Sequence, residues 1–371
     1  MEQTPLGKRL ARAARASDIN WKFLVENVPV WPVAPPVPPY TWGDGDHRYA
    51  PSQGVEVLLD ALHDRGQSQG VHVGTESILI TNGGLDALGL TVRHLRRSGV
   101  SRAVCAGPIL LSLAQLFDVT GLQLVVQPWS RLWSEQSWRL FRLGPGDVVY
   151  INTPHNPTGT CLENWIVKDL LKDQEHHGFA LIFDLVYDSF TYGPQRFVSP
   201  LALVEEWRNV FGVNSFSKNY GAPGLRVGWL VTEPGTIADL TSHLEMERIA
   251  VSTEAQLRAA ALCKHGNAPL VERVDHGHQL VVDWALEHGV RLDSVRSGTQ
   301  AWLDLEAGDT ERFADSLLVE DMMIVATGAN YYPRDVDHIR VPTGLPASFL
   351  AEALQVIARA RHRARCCHSN R

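Results

Sequence analysis

The sequence predicts an α/β fold in which a mostly parallel sheet is buried on both faces. Seven short runs of apolar and β-branched residues lie in the middle of the chain, and helix-like stretches separate them. The runs lack polar–apolar alternation, which is typical of strands that helices cover on both sides. They occupy residues 78–81, 102–106, 124–126, 147–151, 180–183, 210–213 and 227–231. Because ligands of such sheets bind beyond the carboxyl ends of the strands, the segments that directly follow these runs are candidate sites.

The two ends of the chain differ in composition from the middle. Residues 28–43 are rich in proline and end in Tyr-Thr-Trp-Gly, which predicts an extended arm because proline cannot donate a backbone hydrogen bond. After about residue 245, a long helical stretch leads to predicted strands at 298–305 and 322–326. We therefore expect a large domain over residues 43–245 and a smaller α+β domain built from residues 1–42 and 246–371.

The bulk composition limits the classes of function. The chain has 371 residues, 44% of them hydrophobic, and a net charge of −7, so we expect a buried core and no nucleic-acid or membrane-surface partner. The basic stretches at 8–12 and 359–365 lie on predicted helices and are expected to be solvated. No apolar run reaches the ~18 residues of a membrane helix, and the first residues lack the apolar core of a secretory signal. The five cysteines show no paired spacing, so we expect reduced thiols in a cytoplasmic protein.

The most specific motif follows the run at 210–213. It contains Ser215, Ser217, Lys218 and Arg226, and it ends in the pattern Gly-x-x-Gly-x-Arg-x-Gly. A lysine amine is a nucleophile only when deprotonated, which requires burial or nearby cations. Hydroxyls with a guanidinium suit a phosphate dianion, and glycines let the backbone approach it closely. The simple alternative, a surface loop with an incidental lysine, explains the lysine but not the glycine–arginine pattern.

Two more polar segments directly follow predicted strands. Asn156 lies in a proline-containing loop after the run at 147–151, where its amide can reach a ligand oxygen. Asp184 ends the run at 180–183 and Tyr187 follows it, and a carboxylate in that place is costly to bury unless it pairs with a cation. Taken alone, the first segment could be a turn with a structural His155, and Asp184 could simply cap the next helix.

Together these segments resemble the class I/II aminotransferase family of fold-type-I enzymes that depend on pyridoxal 5′-phosphate (PLP). The match runs in order through a Gly-Gly turn, the Asn-Pro-Thr-Gly loop, the Asp-x-x-Tyr strand end, the Ser-x-Ser-Lys loop and a C-terminal Ile-Arg. It covers roughly residues 43–345. The resemblance implies the fold-type-I architecture, PLP as the cofactor, and an amino acid or amino-acid-like small molecule as the substrate.

The resemblance also implies a role for each residue. Lys218 would form the Schiff base with PLP and then move the proton between the substrate and the cofactor. Asp184 would pair with the pyridine nitrogen and keep the ring an electron sink. Asn156 and Tyr187 would contact the ring 3-oxygen, and Val186 would pack beneath the ring. The phosphate would be bound by the side chains of Ser215, Ser217 and Arg226 and by the amides of Gly83, Gly84 and Leu85.

Two further positions concern a partner subunit and the substrate. Tyr49 resembles the tyrosine that reaches the phosphate of the neighbouring subunit, which implies a homodimer with shared active sites. Arg340 resembles the arginine that clamps the substrate α-carboxylate with two hydrogen bonds, and Asn156 would assist it. The alternatives are an ordinary packing tyrosine and a surface strand arginine.

Two departures from the family pattern leave the reaction open. Leu110 stands where the family usually has an aromatic residue against the ring, and leucine offers no π face. The proline-rich arm replaces a glycine-containing segment that closes over the substrate, and it could equally be a pocket wall or a dimer strap. An aminotransferase is therefore the first hypothesis, and a lyase, cyclase or oxidative deaminase of the same fold is the second. A non-catalytic regulator is disfavoured because the lysine, aspartate and arginine set is intact.

Overall fold

A computed structural model describes residues 4–16, 20–133, 135–192, 198–292, 297–306, 309–334 and 337–369, apart from the side chains at 44, 45 and 365–369. The side chains of Cys366 and Cys367 are thus outside the described residues; Cys105, Cys161 and Cys263 are free thiols, as expected. The strands are β1 Lys22–Leu24, β2 Ile78–Thr81, β3 Arg102–Gly107, β4 Ile109–Leu110, β5 Gln123–Pro128, β6 Asp147–Asn152, β7 Ala180–Asp184, β8 Val210–Ser215, β9 Gly228–Val231, β10 Arg291–Leu292, β11 Gln300–Asp304, β12 Met323–Thr327, β13 Tyr331–Tyr332 and β14 His338–Pro342. The α-helices are α1 Pro5–Arg15, α2 Glu56–Ser68, α3 Gly84–Arg97, α4 Leu111–Val119, α5 Trp129–Trp133, α6 Asn164–His177, α7 Phe216–Asn219, α8 Pro234–Arg248, α9 Thr253–His265, α10 Ala268–His288, α11 Thr310–Glu320 and α12 Ala347–Ser369.

The main sheet has seven strands within the described residues, in the order β2-β9-β8-β7-β6-β3-β5. Every neighbouring pair is parallel except the two pairs that β9 makes with β2 and β8. Successive residues of one strand enter different hydrophobic cores: Val149 belongs to one cluster and Val148 to the other. Because both faces are buried, the strands need apolar residues at every position, as the uniform runs indicate. The predicted α/β fold with a mostly parallel seven-stranded sheet is confirmed.

The register of this sheet brings the three polar segments together. Asn152, the last residue of β6, pairs with Asp184 at the end of β7. Asp184 in turn pairs with Val213 of β8, two residues before Ser215. Since β6, β7 and β8 are parallel neighbours, the loops that follow them leave the sheet at the same edge.

A second sheet of five strands, counted over the described residues, has the order β1-β12-β14-β11-β10. The predicted strands at 298–305 and 322–326 are found as β11 and β12. Strand β1 was not predicted, and it pairs in parallel with β12 through Lys22 and Met323. This pairing ties the N-terminal segment to the C-terminal third of the chain. The central strand β14 carries Arg340.

Residues 28–43 form neither a helix nor a strand, as their proline content predicts. The segment is held at its start by hydrogen bonds on both sides. The Val30 amide donates to the Gly344 carbonyl at 2.9 Å, and the Trp31 indole N–H donates to the Tyr220 carbonyl at 2.8 Å. None of the described helices combines the length and the apolar character required to cross a membrane.

Candidate active site

A cavity of about 270 Å³ lies at the carboxyl ends of β6, β7 and β8. Eleven of the predicted site residues line it: Gly84, Leu85, Leu110, Asn156, Asp184, Val186, Tyr187, Ser215, Ser217, Lys218 and Arg226. Gly83 and Arg340 contact members of this set, whereas Tyr49 does not line the cavity and its side chain is 81% exposed. The motifs that are far apart in the sequence therefore converge on one concave site, which is where ligands of α/β sheets bind.

Lys218 lies in the short helix α7, directly after β8. The Ser215 side chain caps this helix by accepting from the Ser217 amide at 3.1 Å, so the chain turns sharply and the lysine faces the cavity. Burial, together with the nearby guanidinium groups of Arg340 and Arg226, lowers the pKa of Lys218 to about 8, and the Glu26 carboxylate partly opposes this shift. Near neutral pH, far more of this amine is therefore deprotonated than of an ordinary lysine, and a nucleophilic lysine requires the deprotonated form.

Asp184 is buried at the end of β7, and both of its oxygens are engaged. The Tyr150 hydroxyl donates to Oδ2 at 2.6 Å, and the Val186 amide donates to Oδ1 at 3.3 Å. Burial nevertheless raises the pKa of Asp184 from 3.8 to about 6, which corresponds to about 3 kcal/mol against the charged form. Its two hydrogen bonds do not offset the cost of burying the carboxylate, so the charged form would be stabilised by a cationic ligand atom.

Arg340 lies on β14 and is 7% exposed. Its Nη1 donates to the Tyr331 hydroxyl at 2.8 Å and to Asn156 Oδ1 at 3.3 Å, and its Nη2 donates to the Val25 carbonyl. Its Nε is buried without a hydrogen-bond partner, and no described carboxylate forms an ion pair with it. A buried guanidinium that has only neutral partners is costly, so this group is suited to bind an anionic ligand such as a carboxylate.

Gly83, Arg226 and the start of α3 form a third cluster. Gly83 has φ +88°, and a Cβ there would lie 2.4 Å from Arg226 Nη2, so glycine is required for the arginine to occupy its place. Ser215 and Ser217 share a hydrogen bond of 2.9 Å between their hydroxyls beside this arginine. Helix α3 begins at Gly84, and the first amides of a helix have no intrahelical partner. Guanidinium, hydroxyls and free amides together are the donor set that binds a phosphate.

The family model for "Aminotransferase class I and II" matches residues 41–357. The chain belongs to this aminotransferase family. A 3-methylarginine biosynthesis aminotransferase, ArgM, of Streptomyces arginensis is 51% identical over 365 residues, 98% of each chain. The L-aspartate:5-guanidino-3-methyl-2-oxopentanoate transaminase of Pseudomonas syringae pv. syringae is 34% identical over 358 residues, 95% of this chain and 92% of that one. The crystal structure of the aspartate aminotransferase of Thermotoga maritima superposes with a TM-score of 0.84 at 19% identity, covering 96% and 97% of the two chains.

The protein is thus an aminotransferase of a PLP-dependent family with the fold-type-I architecture, and the first of the two hypotheses from the sequence is confirmed. The residues present fit this cofactor. No described side chain supplies a cation to Asp184, which a protonated pyridine nitrogen would do, and the phosphate-type donor set at Gly83 and Arg226 lies in the same site. The cavity offers both a lysine and this donor set, as an aminotransferase needs.

The site also contains residues that sequence reasoning missed. Tyr150 donates a hydrogen bond to Asp184. The sequence pattern that could have identified it is a hydroxyl group within the otherwise apolar stretch 148–151. Asn27 is 3% exposed and donates to the Tyr187 hydroxyl at 3.2 Å. Tyr331 accepts a hydrogen bond from Arg340 and pairs with Leu110 across β13 and β4. No short-range pattern pointed to Asn27, because its partner is 160 residues away.

Proposed function

We propose that this aminotransferase exchanges an amino group between a guanidino-bearing α-amino acid, or its 2-oxo acid, and a second amino-acid and 2-oxo-acid pair. The substrate class is supported by the two relatives at 51% and 34% identity, whose names specify 3-methylarginine biosynthesis and a 5-guanidino-3-methyl-2-oxopentanoate. Both alignments extend over nearly the whole chain, so they include the substrate-facing segments as well as the cofactor site.

The observation that carries the reaction type is the convergence of the Lys218 amine, the Asp184 carboxylate and the Arg340 guanidinium on one cavity. Bound PLP supplies the electron sink for a carbanion at the substrate Cα. We propose that Lys218 attaches to the cofactor covalently, and that its released amine moves the proton at the substrate Cα. A pKa of about 8 suits this role because the amine can both accept and return a proton near neutral pH.

The remaining residues hold and orient the ligands. We propose that Asp184 binds the pyridine nitrogen, that Asn156 and Tyr187 bind the ring 3-oxygen, and that Val186 and Leu110 pack against the ring. The phosphate would be held by the side chains of Ser215, Ser217 and Arg226 and by the amides of Gly84 and Leu85. The Gly83 amide, also expected to bind the phosphate, instead donates to the Thr81 carbonyl at 2.8 Å.

We propose that Arg340 binds the substrate α-carboxylate with Asn156 beside it. The guanidinium can donate two parallel hydrogen bonds to a carboxylate, which fixes the direction of the substrate Cα–H bond. The buried Nε without a partner and the absence of an ion pair with any described carboxylate support this assignment.

We further propose a cytoplasmic homodimer in which Tyr49 reaches the phosphate site of the neighbouring subunit. The support is its 81% exposure beside the extended arm, which leaves the phenol free to contact another copy of the chain. The proposed units of each subunit are residues 43–245 and residues 1–42 with 246–371.

The reaction is tested by mixing the PLP-loaded enzyme with L-arginine or its 3-methyl derivative in the absence of any 2-oxo acid. An aminotransferase converts one equivalent of amino acid per active site and then stops, and a 2-oxo acid restarts it. Continued turnover without a 2-oxo acid would contradict the proposal in favour of a lyase, cyclase or oxidase.

The lysine assignment is tested with Lys218→Ala. Lys264→Ala, which changes an exposed lysine at the end of α9, is the matched control. We expect the first variant to lose turnover and the absorbance of the covalently attached cofactor, whereas the control keeps both. Normal absorbance and turnover in Lys218→Ala would show that the assignment is wrong.

A further inference from the structure

One carboxylate that flanks the active site without lining the cavity, that of Glu26, has no part in the assignments above. Glu26 lies between two residues that contact the site directly. The Val25 carbonyl before it accepts from Arg340 Nη2, and the Asn27 side chain after it donates to the Tyr187 hydroxyl at 3.2 Å. Asn27 is fixed in turn by the Thr299 hydroxyl, which donates to its Oδ1 at 2.8 Å. The backbone on both sides of Glu26 is therefore held against the substrate side of the site.

The Glu26 carboxylate is available for a ligand. Its side chain is exposed, and it makes no hydrogen bond or ion pair with another described residue. It is close enough to Lys218 to act on that amine electrostatically. Among the described residues that line the cavity, Asp184 is the only carboxylate, and its oxygens already accept from Tyr150 and Val186.

We propose that Glu26 binds the guanidinium group of the substrate and so determines the preference for a guanidino side chain. This inference rests on the proposed function, because it assigns a residue to the distal end of that substrate. A carboxylate accepts two parallel N–H bonds from a guanidinium, which an uncharged side chain cannot reproduce with the same strength.

The position of Glu26 in the chain, one residue from a group that contacts Arg340, is compatible with a substrate of this length. In an arginine-type skeleton, six bonds separate the carboxylate carbon from the guanidinium carbon, and an extended chain covers roughly 7 Å over that number of bonds. Glu26 directly follows the residue whose carbonyl contacts Arg340, and consecutive Cα atoms are about 3.8 Å apart. We infer that the glutamate side chain supplies the remaining separation, so that one ligand reaches from Arg340 to Glu26.

The experiment compares L-arginine with L-citrulline, which has the same shape but an uncharged ureido group. The kcat/KM of the first half-reaction is measured with the PLP-loaded wild type, Glu26→Gln and Glu26→Asp. Glu175→Gln, which changes an exposed glutamate on α6, is the control for loss of a negative charge. We expect the wild type to prefer L-arginine, and Glu26→Gln to lower its kcat/KM by about 10- to 100-fold while that of L-citrulline changes by less than about threefold.

The outcomes separate this inference from the proposed function. A wild type that does not prefer L-arginine or its 3-methyl derivative overturns the proposed substrate class and this inference with it. A wild-type preference that persists in Glu26→Gln overturns the role of Glu26 alone. An equal fall for both substrates also overturns it, because the carboxylate would then act through Lys218 rather than on the side chain. Retention of the preference in Glu26→Asp, with unchanged cofactor absorbance in all variants, supports the charge as the recognised feature.

Discussion

Replacing Tyr150 with phenylalanine removes a single hydroxyl from the Asp184 carboxylate. The two side chains are 4% and 7% exposed, and the hydrogen bond between them is 2.6 Å long. Burial raises the pKa of Asp184 to about 6, and the Tyr150 hydroxyl opposes that rise because it stabilises the charged form. Without it, the pKa of Asp184 must rise further, because a hydrogen bond that stabilises the charged form is lost.

The size of the effect follows from the charge on the acceptor. A hydrogen bond to a charged group contributes about 1.5–3 kcal/mol, which would move the pKa of Asp184 to roughly 7–8 in the cofactor-free enzyme. At pH 7 the carboxyl group would then be largely neutral and would hold a protonated pyridine nitrogen poorly. We expect Tyr150→Phe to weaken PLP binding about tenfold at pH 7 and to recover towards the wild-type affinity as the pH rises above 8.

The assay is a titration of the cofactor-free enzyme with PLP between pH 5.5 and 9, followed by tryptophan fluorescence. Tyr220→Phe is the matched control, because its buried hydroxyl contacts Cys263 rather than Asp184. The wild type and the control should lose affinity as the pH falls through about 6, and Tyr150→Phe should do so at a higher pH. Affinities within twofold of the wild type at every pH would refute the role of this hydrogen bond.

Three further outcomes are expected. Gly83→Ala places a methyl group 2.4 Å from Arg226 Nη2 and should weaken PLP binding at least tenfold. Binding of pyridoxal, which has no phosphate, should not change. Equal losses of affinity for both ligands would be inconsistent with a phosphate site. Arg340→Lys loses the planar pair of donors and should raise the KM for the amino acid about tenfold or more with little change in PLP affinity, as steady-state kinetics would reveal. Asp184 has a folded-state pKa above its unfolded value, so its contribution to the stability of the cofactor-free protein is full below pH ~4 and is lost as the pH rises through about 6. Asp184→Asn should therefore remove up to about 3 kcal/mol of the change in unfolding free energy between pH 4 and pH 7, measured by urea unfolding, and an unchanged pH dependence would contradict the assignment.

The strand pattern was sufficient to predict the main sheet and most of the cofactor site. Each of the three motifs directly follows an apolar run. Neighbouring parallel strands have their carboxyl ends at the same edge of the sheet, whatever the length and structure of the segments that connect them. The order of the runs did not reveal that β9 runs antiparallel to its neighbours, because the burial of a strand is the same in either direction. Short strands such as β1, with three residues, carry too little pattern to be recognised.

The substrate side of the site could not be predicted in the same way. Asn27 contacts Tyr187 and Gln300, which are 160 and 273 residues away, and it lies between Glu26 and the start of the proline-rich arm, where no motif marks it. The composition of the arm allowed both a pocket wall and a dimer strap. The hydrogen bonds of Val25 and Asn27 to Arg340 and Tyr187 favour the wall for the segment just before the prolines. The pairing of β1 with β12 places this segment beside the site. Because the two strands are about 300 residues apart in the sequence, local patterns cannot predict that pairing.

The two buried charged side chains of the site, Asp184 and Arg340, both lack a partner of opposite charge among the described residues. Asp184 is buried without a cation, and Arg340 is buried without a carboxylate among the described residues, although the two belong to the same site. Asp184 and Arg340 do not form an ion pair with each other. Asp184 instead accepts a hydrogen bond from the uncharged Tyr150, and Arg340 donates one to the uncharged Tyr331. Each charge can therefore be compensated only by a ligand of the opposite sign, a cationic ring for Asp184 and a carboxylate for Arg340. Burial of the uncompensated charges of Asp184 and Arg340 is unfavourable in the ligand-free protein, and this cost is relieved when the cofactor and an amino acid bind. An amine without a carboxylate leaves Arg340 uncompensated and should therefore bind this site poorly.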